Sequence, residues 1–362
     1  MFVRTSGTRF LHSNQPFYAF GVNCYFLGFC SEVSRRRTLL AAKELGATTI
    51  RSWAFLDAEE RTPGAPAFQY FADGQIRFDD GPDGLERLDA LILAAEELNL
   101  HLVLPFINHW PDFGGMPLYL KWLGVPGKVV EFYRSPVARE AYKNWVEHLL
   151  TRRNTLTGRF YAEEPAVMAW ELANEPRSDG AHGDDLLRWI DEMSRFVKSF
   201  DPNHLVAAGD EGFFRKLSRS HLYNGTHGVD FHAILELPAI DFGTFHMYPQ
   251  FWNQRDCIRF AAQWISDHIS AGRAINKPVL LEEFGLKENA ALTAFGSRDE
   301  IYSRWLRQIQ EEDGAGALFW MLGHAEGDTE GFRDAFTILS GDNLPATREQ
   351  LRSQQGWART QA

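Results

Sequence analysis

Eight apolar, β-rich runs recur along this chain, separated by amphipathic helical patterns, and that alternation restricts its fold more than any other feature. The runs are Tyr18–Phe26, Thr48–Phe55, Leu100–Trp110, Val167–Pro176, Leu205–Gly212, Phe242–Pro249, Val279–Gly285 and Ala317–Gly323. Between them, Leu85–Leu98 places apolar residues at helical spacing with acids on the other face, and Arg139–Leu150, Asp184–Phe200, Arg255–Ala271 and Asp299–Glu311 read the same way. Near-continuous apolar strands alternating with helices mean an α/β protein whose parallel sheet is covered on both faces. Eight such units predict a closed (β/α)8 TIM barrel instead of an open doubly wound sheet. No glycine fingerprint opens a helix after the first run, which removes the main sequence argument for a nucleotide-binding fold.

Phe2–Phe20 alternates around a polar turn and predicts a short β-hairpin closing the barrel bottom. Tyr223–Leu237 lacks periodicity and predicts a long loop over the active face. The 362 residues contain no Pro/Ser-rich linker, low-complexity segment or appended repeat module. Residues 1–362 are therefore expected to form a single catalytic domain with no accessory binding module, acting as a monomer.

Charge narrows the partners. The formal net charge is −11 with no block of like charge, which argues against nucleic acid or an anionic membrane surface. Eleven Trp and 14% aromatic residues fit either an aromatic core or a sugar cleft, since pyranose C–H faces stack on indoles. Cys24, Cys30 and Cys257 match no zinc spacing, so free buried thiols are expected, with a Cys24–Cys30 bridge possible but not required. The N-terminus has no charged segment followed by an apolar run, and no stretch approaches a membrane span. The chain is thus expected to be cytoplasmic, or secreted with its leader removed.

Chemistry in such barrels sits at the C-terminal ends of the strands. The fourth run ends Trp170-Glu171-Leu172-Ala173-Asn174-Glu175-Pro176 and the seventh Leu281-Glu282-Glu283-Phe284-Gly285. Glu175 and Glu283 would face each other across the barrel mouth, and two facing carboxylates are what glycoside hydrolysis needs. Retention expects them about 5–5.5 Å apart. Alternation along a strand predicts that Glu282 points opposite to Glu283, and that Glu171 shares the face of Glu175 but lies deeper, in a structural role. Arg51 would keep a nearby nucleophile ionised. His246 and Tyr248, two residues apart, share a face, and a Tyr hydroxyl there can orient the nucleophile. Trp320 would floor a central sugar site, with Trp110 and Trp53 as further candidate sugar contacts. His109, His246 and His324 lie at strand ends, but without an H-x-H or paired His–Asp signature no metal site is expected.

The segments WELANEP, EEFG and FHMYP together resemble glycoside hydrolase family 5. FVRTSGTRF, GVNCYFL, NHWPDFGGM, GDEGFF and YNGTHGVDFHAILELPAIDFGTFHMYP are similar to the endo-β-1,4-mannanases of fungi and plants within it, over nearly the whole chain. The resemblance implies Glu175 as acid/base, Glu283 as nucleophile, Asn174 on the sugar 2-hydroxyl, and Arg51, His246 and Tyr248 supporting Glu283. It places Trp320 in the central subsite and Trp110 in an outer one, with no metal or organic cofactor. It implies retaining hydrolysis of β-1,4-mannosidic bonds in mannan or manno-oligosaccharides. The alternatives on the same site are exo-β-mannosidase, glucomannan-active β-glucanase or transglycosylase. Ser178 stands where secreted fungal relatives tend to carry a cysteine, and Asn108-His109 replaces their usual double Asn.

Overall fold

Seven of the eight runs contain a strand shorter than themselves, and the eighth overlaps one that begins a residue earlier, in the computed structural model, which describes residues 1–287, 296–342 and 344–360. The strands are β1 (Ala19–Asn23), β2 (Thr49–Arg51), β3 (His101–Pro105), β4 (Val167–Glu171), β5 (Leu205–Ala207), β6 (Gly243–Met247), β7 (Val279–Phe284) and β8 (Gly316–Phe319). A helix follows each: α1 (Glu32–Leu45), α2 (Glu86–Glu97), α3 (Pro136–Thr151), α4 (Gly183–Phe200), α5 (Phe231–Glu236), α6 (Cys257–Ile275), α7 (Arg298–Glu311) and α8 (Pro345–Thr360). The β/α alternation read from the sequence is therefore present in full.

Helix ends obey local chemistry. Asp256 accepts from the Arg259 amide at the start of α6, and Ser297 and Glu300 form a reciprocal capping box on α7. In α4, buried Leu186, Trp189, Ile190, Met193 and Val197 make the inward stripe that its periodicity announced. Helix α1 escaped sequence reading because its inward stripe includes Arg35 and Thr38. Both are buried through hydrogen bonds, Arg35 Nε to the Leu27 carbonyl (2.9 Å) and Thr38 Oγ1 to the Ser34 carbonyl (2.8 Å). Helix α5 lies within the segment expected to be only a loop; at 6 residues it is too short to show a period.

The described chain divides into two compact units, residues 1–52, 94–102 and 242–362 in one, and 53–93 and 103–241 in the other. In the first, five parallel strands run in the order β2-β1-β8-β7-β6. Its N-terminal segment is a three-stranded antiparallel sheet (Arg4–Ser6, Arg9–His12, Gln15–Phe17), not the two-stranded hairpin expected. Ser13 and Asn14 at φ 54° and 62° form the extra turn and add the third strand. This sheet packs near the N-terminal ends of the strands. Phe10 meets Phe242 edge-on at 5.2 Å, and Arg9 and Tyr18 both bond Asp313.

In the second unit β4 and β5 pair in parallel, and the segment leaving β3 follows β4 through Phe106 N to Glu171 O (3.0 Å) and a bridge between Asn108 and Asn174. A small sheet not anticipated from sequence (Asp57–Ala58, Gln69–Ala72, Gln75–Phe78) follows β2 in the chain. All three cysteines are buried free thiols. Among the described residues, no helix is long and apolar enough to cross a membrane.

Candidate active site

Glu283 stands at the end of β7 at 4% exposure, with Arg51, Tyr248 and His246 among its partners. Arg51, at the end of β2 and fully buried, places Nη1 2.5 Å from Oε1. Tyr248, just past β6, donates its hydroxyl to Oε2 at 2.7 Å, and His246 Nδ1 lies 3.5 Å from the same oxygen. The structure thus gathers Arg51, His246 and Tyr248 on one carboxylate. The tyrosine ring is fixed by Phe336 (5.3 Å) and Trp252 (6.5 Å). A carboxylate oriented in this way among donors is suited to nucleophilic attack.

The expected opposition of Glu282 and Glu283 is overturned. Arg51 Nε is 3.5 Å from Glu282 Oε2 and His246 Nε2 is 3.3 Å from it, so both carboxylates meet the same two side chains. The cause is a register shift: Phe245 pairs with Leu281 but His246 with Glu283, leaving Glu282 as an extra residue in β7. The same slip recurs against β8, between Leu281 and Phe284. A bulge of this kind cancels the alternation on which parity arguments rest.

Trp320 follows β8 and stacks on Tyr25 (5.6 Å, 9° between planes), and its indole nitrogen donates to Asp334 at 2.6 Å. The Trp320–Met321 peptide is cis. Tyr25 and Asp334 were missed in the sequence. Tyr25 stands in the GVNCYF run, but Asp334 lies in a loop with no period to mark it.

In the other unit, Glu175 is half-buried past the end of β4, with φ at 51°. That left-handed conformation is unusual for glutamate and costs about 1–2 kcal/mol. It is supported by the bond from Glu175 N to Gly209 O (2.9 Å). Gly209 itself has φ 77°, and a Cβ there would lie 2.0 Å from the Ala173 carbonyl, so only glycine fits. Trp110 Nε1 donates to Glu175 Oε2 at 2.6 Å. The indole expected only to stack on a sugar therefore also orients a carboxylate. Asn174 donates to Asn108 Oδ1 (3.0 Å), which also accepts from the Trp110 amide (3.2 Å). Trp53 is 3% exposed and stacked on Phe55, a packing environment that supports a sugar contact least among the sequence candidates.

Arg177, unassigned from sequence, forks onto buried Glu211 and lies over the Trp110 ring (5.1 Å) and the Phe213 ring (5.0 Å). Burial and the Arg177 charge push the His109 imidazole down to about 4, so this histidine is neutral near pH 7. The Trp110 loop is clamped by Asp57, whose carboxylate accepts from Gly115 N (3.1 Å) and Gln69 Nε2 (2.8 Å). Burial pushes this carboxyl up to about 7, against those two donors. Gly115 has φ 66°, and a Cβ there would come within 2.4 Å of the Trp110 carbonyl.

The family model for β-mannosidase-like proteins of glycoside hydrolase family 5 matches residues 1–332. The mannan endo-1,4-β-mannosidase A of Podospora anserina is 34% identical, covering 94% of this chain and 88% of its own. A putative mannan endo-1,4-β-mannosidase of Arabidopsis thaliana is 35% identical, over 88% and 82%. The solved endo-1,4-β-mannanase of Rhizomucor miehei superposes with a TM-score of 0.90 at 34% identity, covering 98% of this chain and all of that one. The fold class is accordingly the (β/α)8 barrel.

Proposed function

Because this chain belongs to glycoside hydrolase family 5, in its β-mannosidase-like group, and is a glycoside hydrolase, we propose that it cuts β-1,4-mannosidic bonds within mannan-type chains, with retention of anomeric configuration. The observation that carries the reading is the environment of Glu283, a buried carboxylate oriented by Arg51, His246 and Tyr248 at a strand end. In this mechanism Glu283 attacks the anomeric carbon, the glycosidic bond breaks, and Glu175 gives its proton to the departing oxygen. Glu175 then takes a proton from water as that water opens the glycosyl ester. Glu175, half-buried against the Trp110 indole, and Glu283, set among Arg51, His246 and Tyr248, stand in different environments, and such a difference between two carboxyl groups suits one to acid/base work and the other to attack.

Asn174 contacts the 2-hydroxyl, Trp320 floors the central subsite, and Trp110 combines a sugar contact with orientation of Glu175. The family match runs through both compact units, which supports treating the chain as one catalytic domain. Endo action is favoured over exo action by the similarity, at 34–37% identity, to mannan endo-1,4-β-mannosidases and an endo-1,4-β-mannanase.

The test is product analysis with linear β-1,4-mannan and with cellulose, using wild type, Glu283→Ala and Glu175→Ala. The first-formed anomer is followed by NMR. Expected are manno-oligosaccharides of several lengths, β-configured at first, from wild type alone. Mannose as the main product would make the enzyme exo-acting. Full activity of Glu283→Ala would remove the nucleophile assignment, and α-configured first products would remove retention.

A further inference from the structure

A double displacement uses two carboxyl groups, yet a third, Glu282, is buried with no exposed surface beside the proposed nucleophile. Burying a second carboxylate next to the first is unfavourable unless cations and hydrogen bonds compensate. Here the compensation is specific. Arg51 gives Nε to Glu282 (3.5 Å) and Nη1 to Glu283 (2.5 Å). His246 turns Nε2 toward Glu282 (3.3 Å) and Nδ1 toward Glu283 (3.5 Å). The four side chains close a ring in which each carboxylate touches both nitrogen-bearing groups. Asn23 ties the ring to the backbone, donating Nδ2 to the Glu282 carbonyl (2.9 Å) and accepting from Arg51 Nη1 (3.4 Å). Only the bulge in β7 makes this possible, because regular alternation would send Glu282 to the other face.

The geometry points to Glu282 as a positioning residue for Glu283: it anchors Arg51 through Nε and His246 through Nε2, so that Arg51 Nη1 and His246 Nδ1 hold the nucleophile in line. It also takes a share of the guanidinium charge, which leaves Glu283 less tightly paired and more able to attack. Glu282 itself forms and breaks no bond and moves no proton. The inference rests on the reading of Glu283 as nucleophile.

The experiment is inactivation by 2-deoxy-2-fluoro-β-mannobiosyl fluoride. Fluoride leaves as a glutamate oxygen forms an ester at the anomeric carbon, so the rate constant reports nucleophilic attack alone. In wild type the label is expected on Glu283, located by mass spectrometry. Glu282→Gln is expected to react at least about tenfold more slowly, with reagent binding within about twofold of wild type. Glu282→Asp, which keeps the charge but shortens the anchor, falls by a smaller factor of at least about threefold. Wild-type rates in Glu282→Gln overturn the proposal, as does a loss that appears wholly in reagent binding. If Glu282→Gln does not fold, Glu282→Asp decides by the same measurement, and a wild-type rate there overturns it. Labelling of another residue in wild type refutes the nucleophile reading itself, a failure separable from that of Glu282.

Discussion

Replacing Tyr248 by Phe removes one oxygen, and the structure shows what that oxygen does. Its hydroxyl donates to Glu283 Oε2 at 2.7 Å in a site where Tyr248 is 7% exposed. The ring keeps its contacts with Phe336 and Trp252, so the fold should tolerate the change. A hydrogen bond to a charged group contributes about 1.5–3 kcal/mol, more than a neutral one. Glu283 keeps Arg51 and His246, so the change removes one of its orienting contacts and leaves the others in place. If that energy is expressed in the transition state, kcat drops about 10- to 150-fold, since each 1.36 kcal/mol is a factor of ten. KM should change by less than about threefold, because the bond orients a reacting group instead of gripping substrate. Initial rates of Tyr248→Phe on mannopentaose, measured by oligosaccharide chromatography, decide it. A kcat within about twofold of wild type would refute the claim that this hydroxyl orients the nucleophile. So would a loss confined to KM.

Trp110→Phe keeps an aromatic plane under Arg177 but deletes the donor to Glu175; kcat/KM on mannan should fall about tenfold with little change in melting temperature, and an unchanged kcat/KM would sink the orienting role. Gly115→Ala forces a Cβ within 2.4 Å of the Trp110 carbonyl at a positive φ, so it should cost about 2–3 kcal/mol by urea denaturation and lower activity with it; neutral behaviour would mean the loop is not fixed as described. Asp57 gives a pH prediction. Its carboxyl is raised from 3.8 to about 7, so the folded state holds a proton that the unfolded chain has lost. That stabilisation is full below about pH 4 and is lost as pH rises through about 7, with a ceiling of about 4 kcal/mol. Urea midpoints from pH 4 to 8 should therefore slope downward more steeply in wild type than in Asp57→Asn, and parallel slopes would remove Asp57 as the cause.

What the sequence alone determined is the alternation. Strand period, helical period and their order depend on local pattern, so eight β/α units were legible, together with the strand ends carrying Glu175 and Glu283. Where polar side chains filled the inward stripe, as in α1, or where the element was a turn and a half, as in α5, the pattern carried too little signal. Side-chain direction at the site was decided by the tertiary structure. Glu282 shares partners with Glu283 because β7 bulges against β6 and β8, and pairing register between distant segments leaves no trace in the residues of one strand. The left-handed backbone at Glu175 depends on Gly209, 34 positions later, and the indole N–H that orients that carboxylate comes from Trp110, 65 positions earlier. Local periodicity names which residues reach a strand end; only packing between strands fixes which way each one faces.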